Sequence, residues 1–380
     1  MKIIGFGQVN SKLFFPILGG IIRLILRFLL DLNPKYEIAK NNLFIMSIYT
    51  SIGMILSFIP YLILKYRSKK LNDNLNKLQI QSKSKLNINF EHFNIFKETR
   101  CSRYKLNTLS AICDFTYSFL VEVFCGGCIY NLWIFDILFL NCFSYIILNT
   151  KLYKHHYISM IAIIIFGFLL NIIEYFKLGD KEDKIVPFEI FAKFASKLVG
   201  SFNMVIVKYN MEKNFSNSYE ICLWNGAITL ILFVICLIIV NKYELTIKGI
   251  QYPDNIRELI DNFDYNDLFV CLLVIFINCI YNIFLLLTCN FFTPSHTLLI
   301  SMIYEFYFYL QFKNNFILNI LGLLFLFLII FMLLIFIEII EIKICNMSKN
   351  TTKNIQFRAK TESLSDIDND NSDEDNDDDI

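Results

Sequence analysis

Three carboxylates, Asp114, Glu122 and Asp136, fall inside the long apolar stretches between Leu106 and Phe176. A carboxylate in hydrocarbon costs a few kcal/mol even on lenient insertion scales, so three near one another imply a polar pathway rather than lipid contact. Asp114, Ser118 and Glu122 recur every four residues, which on a helix spreads them over about 80° of one face. Asp114, well inside its span, is expected to line the pathway, the alternative being a structural hydrogen bond to a neighbouring helix. Glu122 lies towards the far end of the span, where headgroups or water reach it. Asp136 is either a further pathway site or one half of a buried ion pair.

Candidate cations lie further along the chain. Glu189, Lys193 and Lys197 recur every four residues, with Glu ahead of Lys, the order that favours an intrahelical pair. Lys193 can snorkel outward. Lys197, about 15 Å down its helix at 1.5 Å per residue, cannot do so easily and should meet an anionic solute group, Asp136 or Asp114. A second polar group comprises Ser295, His296, Thr297, Tyr304, Glu305, Tyr307 and Tyr309. An intramembrane Glu305 can carry a proton, because desolvation raises a carboxyl pKa towards neutrality; the competing reading bonds it to the tyrosines. Lys208, Asn225 and His296 complete the candidate pathway residues.

The elements that must position these groups are helices in a bilayer. The chain has 380 residues, 56% of them hydrophobic, 39 Phe and a mean hydropathy of +0.51, more apolar surface than one soluble core can bury. Apolar runs of spanning length fall near 13 to 32, 43 to 64, 106 to 125, 128 to 149, 156 to 175, 188 to 208, 218 to 240, 267 to 288, 291 to 311 and 316 to 340. The first carries Arg23 and Arg27, so an interfacial helix with snorkelling arginines is its alternative. No cleavable signal fits Met1 to Leu13. The expected class is all-α, a polytopic membrane protein of about ten transmembrane helices in two inverted five-helix repeats: an odd number of spans per repeat inserts the second half upside down.

Charge orients the bundle. The formal net charge of +1 conceals a basic loop at 65–105, with eleven Lys or Arg against Asp73, Glu91 and Glu98, and an acidic segment at 241–267, with six acids against Lys242, Lys248 and Arg257. Cytoplasmic loops retain Lys and Arg, so 65–105 and both termini are placed in the cytosol. The sequons at Asn214, Asn346 and Asn350 then fall on the cytosolic side, where glycosylation does not occur. The expected layout is a cytosolic N-terminus at 1–12, a first repeat at 13–176, a linker at 177–187, a second repeat at 188–342 and a tail at 343–380.

The tail starts basic, with Lys343, Lys349, Lys353, Arg358 and Lys360 suited to anionic lipid heads. It ends almost wholly Asp, Asn and Glu from Asp366 to Asp379, a composition that buries no core. Ser363, Ser365 and Ser372 each precede an acid by three residues, as acid-directed kinases prefer. Cys125-Gly126-Gly127-Cys128 has the spacing of a metal half-site or a disulfide, but no second half-site lies nearby, and a tight turn is the expected role. His155-His156 is a weak signal. No metal, cofactor or nucleic-acid partner is expected. An enzyme would need a nucleophile or metal constellation that the sequence does not display, and a channel would need a filter-like repeat.

Several short motifs carry a family resemblance over about residues 106 to 340. They are Ala111-Ile112-Cys113-Asp114-Phe115-Thr116, Leu148-Asn149-Thr150-Lys151-Leu152, Gly167, Asn203-Met204-Val205-Ile206-Val207-Lys208-Tyr209, Asn225-Gly226 and Gly322. Together they resemble the drug/metabolite transporter superfamily (EamA-like), nearest to subfamily F of solute carrier family 35. The resemblance implies ten helices around a central cavity and alternating access to small organic solutes, often nucleotide sugars. It also implies an endomembrane location such as Golgi, lysosome or vacuole rather than the plasma membrane. The chain departs from the pattern at Tyr130 and Trp133, where relatives carry Gln and Arg, at Asn225, where they carry an acid, and near Thr297, where they carry an Arg.

The functional expectation is a secondary-active transporter of a small polar or anionic organic solute, with the bilayer, the solute and a coupled proton as partners, and a homodimer as an assembly to consider. The alternative is a non-transporting membrane scaffold or assembly protein that retains the fold. Convergence of Asp114, Lys197 and Glu305 on one cavity favours the carrier; separate helix contacts favour the scaffold.

Overall fold

The computed structural model describes residues 9–32, 44–67, 100–124, 134–178, 187–243, 265–310 and 316–340, with isolated positions at 69, 132, 246–247 and 250–251. The tail, most of the basic loop, the linker at 179–186, Tyr130, Trp133 and the Cys125–Cys128 turn lie outside the described residues, as do the side chains of Arg27, Tyr304, Tyr307 and Tyr309.

The described residues form ten α-helices: α1 (Val9–Leu32), α2 (Ile45–Ile55), α3 (Arg100–Phe124), α4 (Ile134–Leu148), α5 (Lys154–Leu178), α6 (Pro187–Lys213), α7 (Ser218–Lys242), α8 (Tyr265–Phe291), α9 (Thr297–Leu310) and α10 (Phe316–Phe336). One hairpin, Thr246–Ile247 against Ile250–Gln251, follows α7. Among the described residues, six helical segments are long and apolar enough to cross a membrane: Ile45–Arg67, Lys154–Ile173, Phe188–Lys213, Ser218–Val240, Leu268–Phe291 and Phe316–Phe336. The first continues α2 past a turn at 56–57.

The polarity is that of a membrane protein. Large apolar side chains face outward, among them Ile161, Ile165 and Phe168 on α5 and Phe269, Leu272 and Phe276 on α8, while Ser51, Asn107, Ser110, Asn203 and Thr229 are buried. In lipid the polar groups must find partners inside the bundle. The helix ends follow the same logic. Asn149 and Phe215 close α4 and α6 in the left-handed region, at φ 52° each. The amides of Thr150 and Ser216 return to the carbonyls of Ser144 and Asn210 at 3.3 and 3.4 Å, satisfying carbonyls the helix leaves open.

Helix α3 starts at Arg100 rather than near 106, because Arg and Lys propagate a helix well once it leaves the apolar layer; Arg103 on this extension forms an ion pair with Glu220 of α7. The described part of α4 begins at Ile134, and the expected start at 128 lies outside the described residues. Helix α1 packs lengthwise on α8 and α9. The other extensive contacts are α3 with α6, α5 with α10, α2 with α7, α4 with α6, α3 with α7 and α2 with α8.

Helix α2 is wedged where side chains are absent. A Cβ on Gly226 of α7 would lie 2.7 Å from the Ser51 carbonyl oxygen, and one on Gly53 would lie 2.6 Å from the carbonyl of Ile275 on α8. Small residues of this kind set close helix approach in membranes. Gly226→Ala should therefore destabilise the protein by about 1–3 kcal/mol, read as a lower unfolding midpoint in detergent, whereas Ile231→Ala on the outer face should stay within about 0.5 kcal/mol.

Candidate functional site: a charged cavity in the bundle

A cavity of about 290 Å³ lies among α1, α2, α3, α4, α6, α7, α8 and α9. Each helix contributes one face. Ser47, Thr50, Ser51 and Met54 of α2 and Lys197, Gly200, Ser201 and Met204 of α6 both follow the i, i+3, i+4, i+7 rhythm. Helix α3 adds Asp114, Tyr117 and Ser118, α4 adds Asp136 and Leu140, and α9 adds Thr297, Leu298, Ser301 and Glu305. Arg23 projects from α1 into the same space, its guanidinium 3.5 Å from Ser301 Oγ and 5.5 Å from the centre of the Tyr281 ring.

The cavity's strongest interaction joins Lys197 Nζ to Asp136 Oδ2 at 2.8 Å, both side chains less than one fifth exposed. Asp136 is thus half of an ion pair, and Lys197 meets a carboxylate of the protein. Asp114, by contrast, accepts no hydrogen bond and joins no ion pair among the described residues.

Below Asp114 the lining gives way to a neutral network. Ser110 Oγ donates to Asn203 Oδ1 at 2.8 Å and accepts from Asn225 Nδ2 at 3.2 Å. Asn210 Nδ2 donates to Asn107 Oδ1 at 2.6 Å and accepts at its own Oδ1 from Asn214 at 2.8 Å. Asn107 lies seven residues before Asp114 on α3, about 10 Å along the axis. The network therefore closes the bundle on the side of the Arg103–Glu220 pair, and Asn203 belongs to both network and cavity.

Of the sequence candidates, Asp114, Ser118, Asp136, Lys197 and Glu305 come together on the cavity. The other candidates lie outside this cavity lining. Glu122 accepts hydrogen bonds from the backbone N–H of Ser47, at 3.1 Å, and from the Ser47 hydroxyl, so a carboxylate sits at the N-terminus of α2, where the helix dipole favours it. Lys208 donates to the Asn290 carbonyl near the end of α8 at 2.8 Å and pairs with Glu212 at 3.2 Å, the converse use of a cation at a helix C-terminus. Asn225 is in the neutral network, and His296 Nδ1 meets Thr293 Oγ1 at 2.8 Å at the start of α9. Lys193 is not part of the cavity lining. The sequon asparagine Asn214 is buried.

Thr50, Thr229, Tyr281, Asn282 and Ser301 line the cavity without having been singled out, and Arg23 lines it although the role weighed for it was snorkelling. A charge inside an apolar run was the available signal for Arg23. The hydroxyls and amides had only their helical spacing, a faint signal in a chain so rich in Asn and Tyr.

His155 and His156 are also brought together with Glu338, their Nε2 atoms 3.2 and 4.0 Å from its Oε1. These three ligand atoms lie within 4.8 Å of one another. His156 Nδ1, however, accepts the Tyr153 N–H at 3.1 Å, which leaves the proton on its Nε2 and points that atom at Glu338 as a donor. The group reads as a polar junction between the start of α5 and the turn after α10.

No protein-family model and no curated protein matches the chain.

Removing one partner of a buried ion pair leaves an uncompensated charge, at about 3–5 kcal/mol. Lys197→Met should lower the detergent unfolding midpoint accordingly, and the double variant Lys197→Met/Asp136→Asn should recover most of the loss. Equal midpoints for single and double variants would show the two groups to be uncoupled.

Proposed function

We propose that the chain is a secondary-active membrane transporter of a small polar organic solute, working by alternating access. The observation that carries this reading is the convergence of Asp114, Lys197, Asp136 and Glu305 on one cavity in the midst of apolar helices. Charged groups that served only separate helix contacts, as in a scaffold, would have no reason to share a lined space of solute size.

The proposed architecture is ten spans in two inverted repeats, α1–α5 and α6–α10. Its support is the pattern of helix neighbours. Adding five to each helix number, counted cyclically, turns α3–α6 into α8–α1, α4–α6 into α9–α1 and α3–α7 into α8–α2, and leaves α2–α7 and α5–α10 unchanged; all these pairs are in extensive contact. Five helices per repeat give opposite orientations in the membrane. With the basic loop 65–105 in the cytosol, both termini are cytosolic and the asparagine network faces the cytosol. The present form is then closed on that side, and the opposite state requires the network to part. The short motifs around Asp114 and Lys208 favour the drug/metabolite transporter superfamily, the branch near subfamily F of solute carrier family 35 and an endomembrane location.

The test is uptake into reconstituted vesicles of solutes that first raise the unfolding midpoint of the purified protein. The variant Lys197→Met/Asp136→Asn, which should keep its fold, is expected to lose uptake by about tenfold or more. Solutes that bind yet never accumulate inside vesicles would sink the transport reading.

A further inference from the structure

We propose that the cavity binds an organic cation, a solute bearing a protonated or quaternary amine, seated on the Asp114 carboxylate. This rests on the reading of the cavity as the solute site, and it replaces the anionic solute that Lys197 suggested in the sequence.

Among the described residues, the charges lining the cavity are Arg23 and Lys197 against Asp114, Asp136 and Glu305, a formal excess of one negative charge. The lysine is already committed to Asp136 at 2.8 Å. The arginine faces Ser301 and the Tyr281 ring. A solute anion would therefore arrive in a space whose lysine is neutralised and whose balance repels it. Like charges at close range in a low-dielectric space are costly, and opposite charges correspondingly favourable.

Asp114 is the group such a solute would meet. It is half-buried, lines the cavity and has no hydrogen-bond or ion-pair partner among the described residues. A carboxylate so placed is best compensated by a ligand cation, because removing it from water without one costs several kcal/mol. The surroundings suit an ammonium group. Ser118 is one turn further along the same face, Ser51 and Thr229 line the cavity with acceptor hydroxyls, and Tyr117 and Phe233 offer ring faces. Tyr281 already carries a cation over its ring. Size points the same way: about 290 Å³ is at the lower limit of small-molecule pockets, fitting for an amine of a few heavy atoms and small for a nucleotide sugar.

The experiment uses the full-length protein in detergent, without a gradient, and measures calorimetric binding and unfolding midpoints with choline, ethanolamine, lysine and UDP-glucose. At least one of the three amine probes should bind and raise the midpoint, UDP-glucose should do neither, and Asp114→Asn should weaken amine binding by about tenfold or more. Ser118→Lys, which tethers an ammonium one turn from Asp114, should abolish amine binding while keeping or raising the midpoint. If Asp114→Asn fails to fold, Ser118→Lys alone decides. Binding of UDP-glucose in preference to the amines, binding of none of the four, or unchanged amine binding in a folded Asp114→Asn or Ser118→Lys, would overturn the proposal. Amines that bind but are not taken up by vesicles would sink the transport reading and leave this one standing.

Discussion

An ammonium and a carboxylate in an apolar bundle constrain each other more tightly than any apolar contact can. Lys197 is on α6 and Asp136 near the start of α4, so the position of each helix is set by the need to keep the other's charge compensated. Around that pair the remaining charges divide into two kinds. Glu122 and Lys208 serve helix ends. Arg23, Asp114 and Glu305 face the enclosed space. The cavity is what remains when the charges required by the scaffold have found their partners.

The neutral network is a different device. Asn107, Ser110, Asn203, Asn210 and Asn225 hold α3, α6 and α7 together without any charge. Each such bond contributes only about 0.5–1.5 kcal/mol net, since water can replace either partner. A closure made of amides and hydroxyls can open at low cost as water enters, whereas the Lys197–Asp136 pair cannot part without leaving two ions in apolar surroundings. The ion pair at the cavity is a stronger tie than the amide network beside it, where the Arg103–Glu220 pair adds a charged link.

Long apolar runs made the helical membrane class legible, since few alternatives bury so many Phe, Ile and Leu. The acids of α3 and α4 and Lys197 stood out because charge inside such a run is costly, and that same cost drew them to one place. What the sequence concealed was partnership. Glu122 near a span end suggested headgroups, yet the hydroxyl and amide that hold it come from Ser47, 75 residues away. For Lys197 an anionic solute group, Asp136 and Asp114 all stayed open, because spacing alone cannot choose a partner 61 residues distant. Arg23 was weighed as a snorkelling residue, since nothing local reveals that α1 lies along α8 and α9. Helical periodicity identifies a face; only the packing says what that face meets.

The glycine contact of α2 has a mechanical consequence. At Gly226 the two helices meet backbone to backbone, with the Ser51 carbonyl 2.7 Å from where a Cβ would stand. Side chains elsewhere can change rotamer and let helices slide, but main-chain atoms in contact have no such freedom. In the proposed two-repeat arrangement the pair α2–α7 also maps onto itself. A contact that neither yields nor changes partners behaves as a fulcrum: the helices can tilt about it, and a small tilt there is magnified into a wider displacement at their far ends.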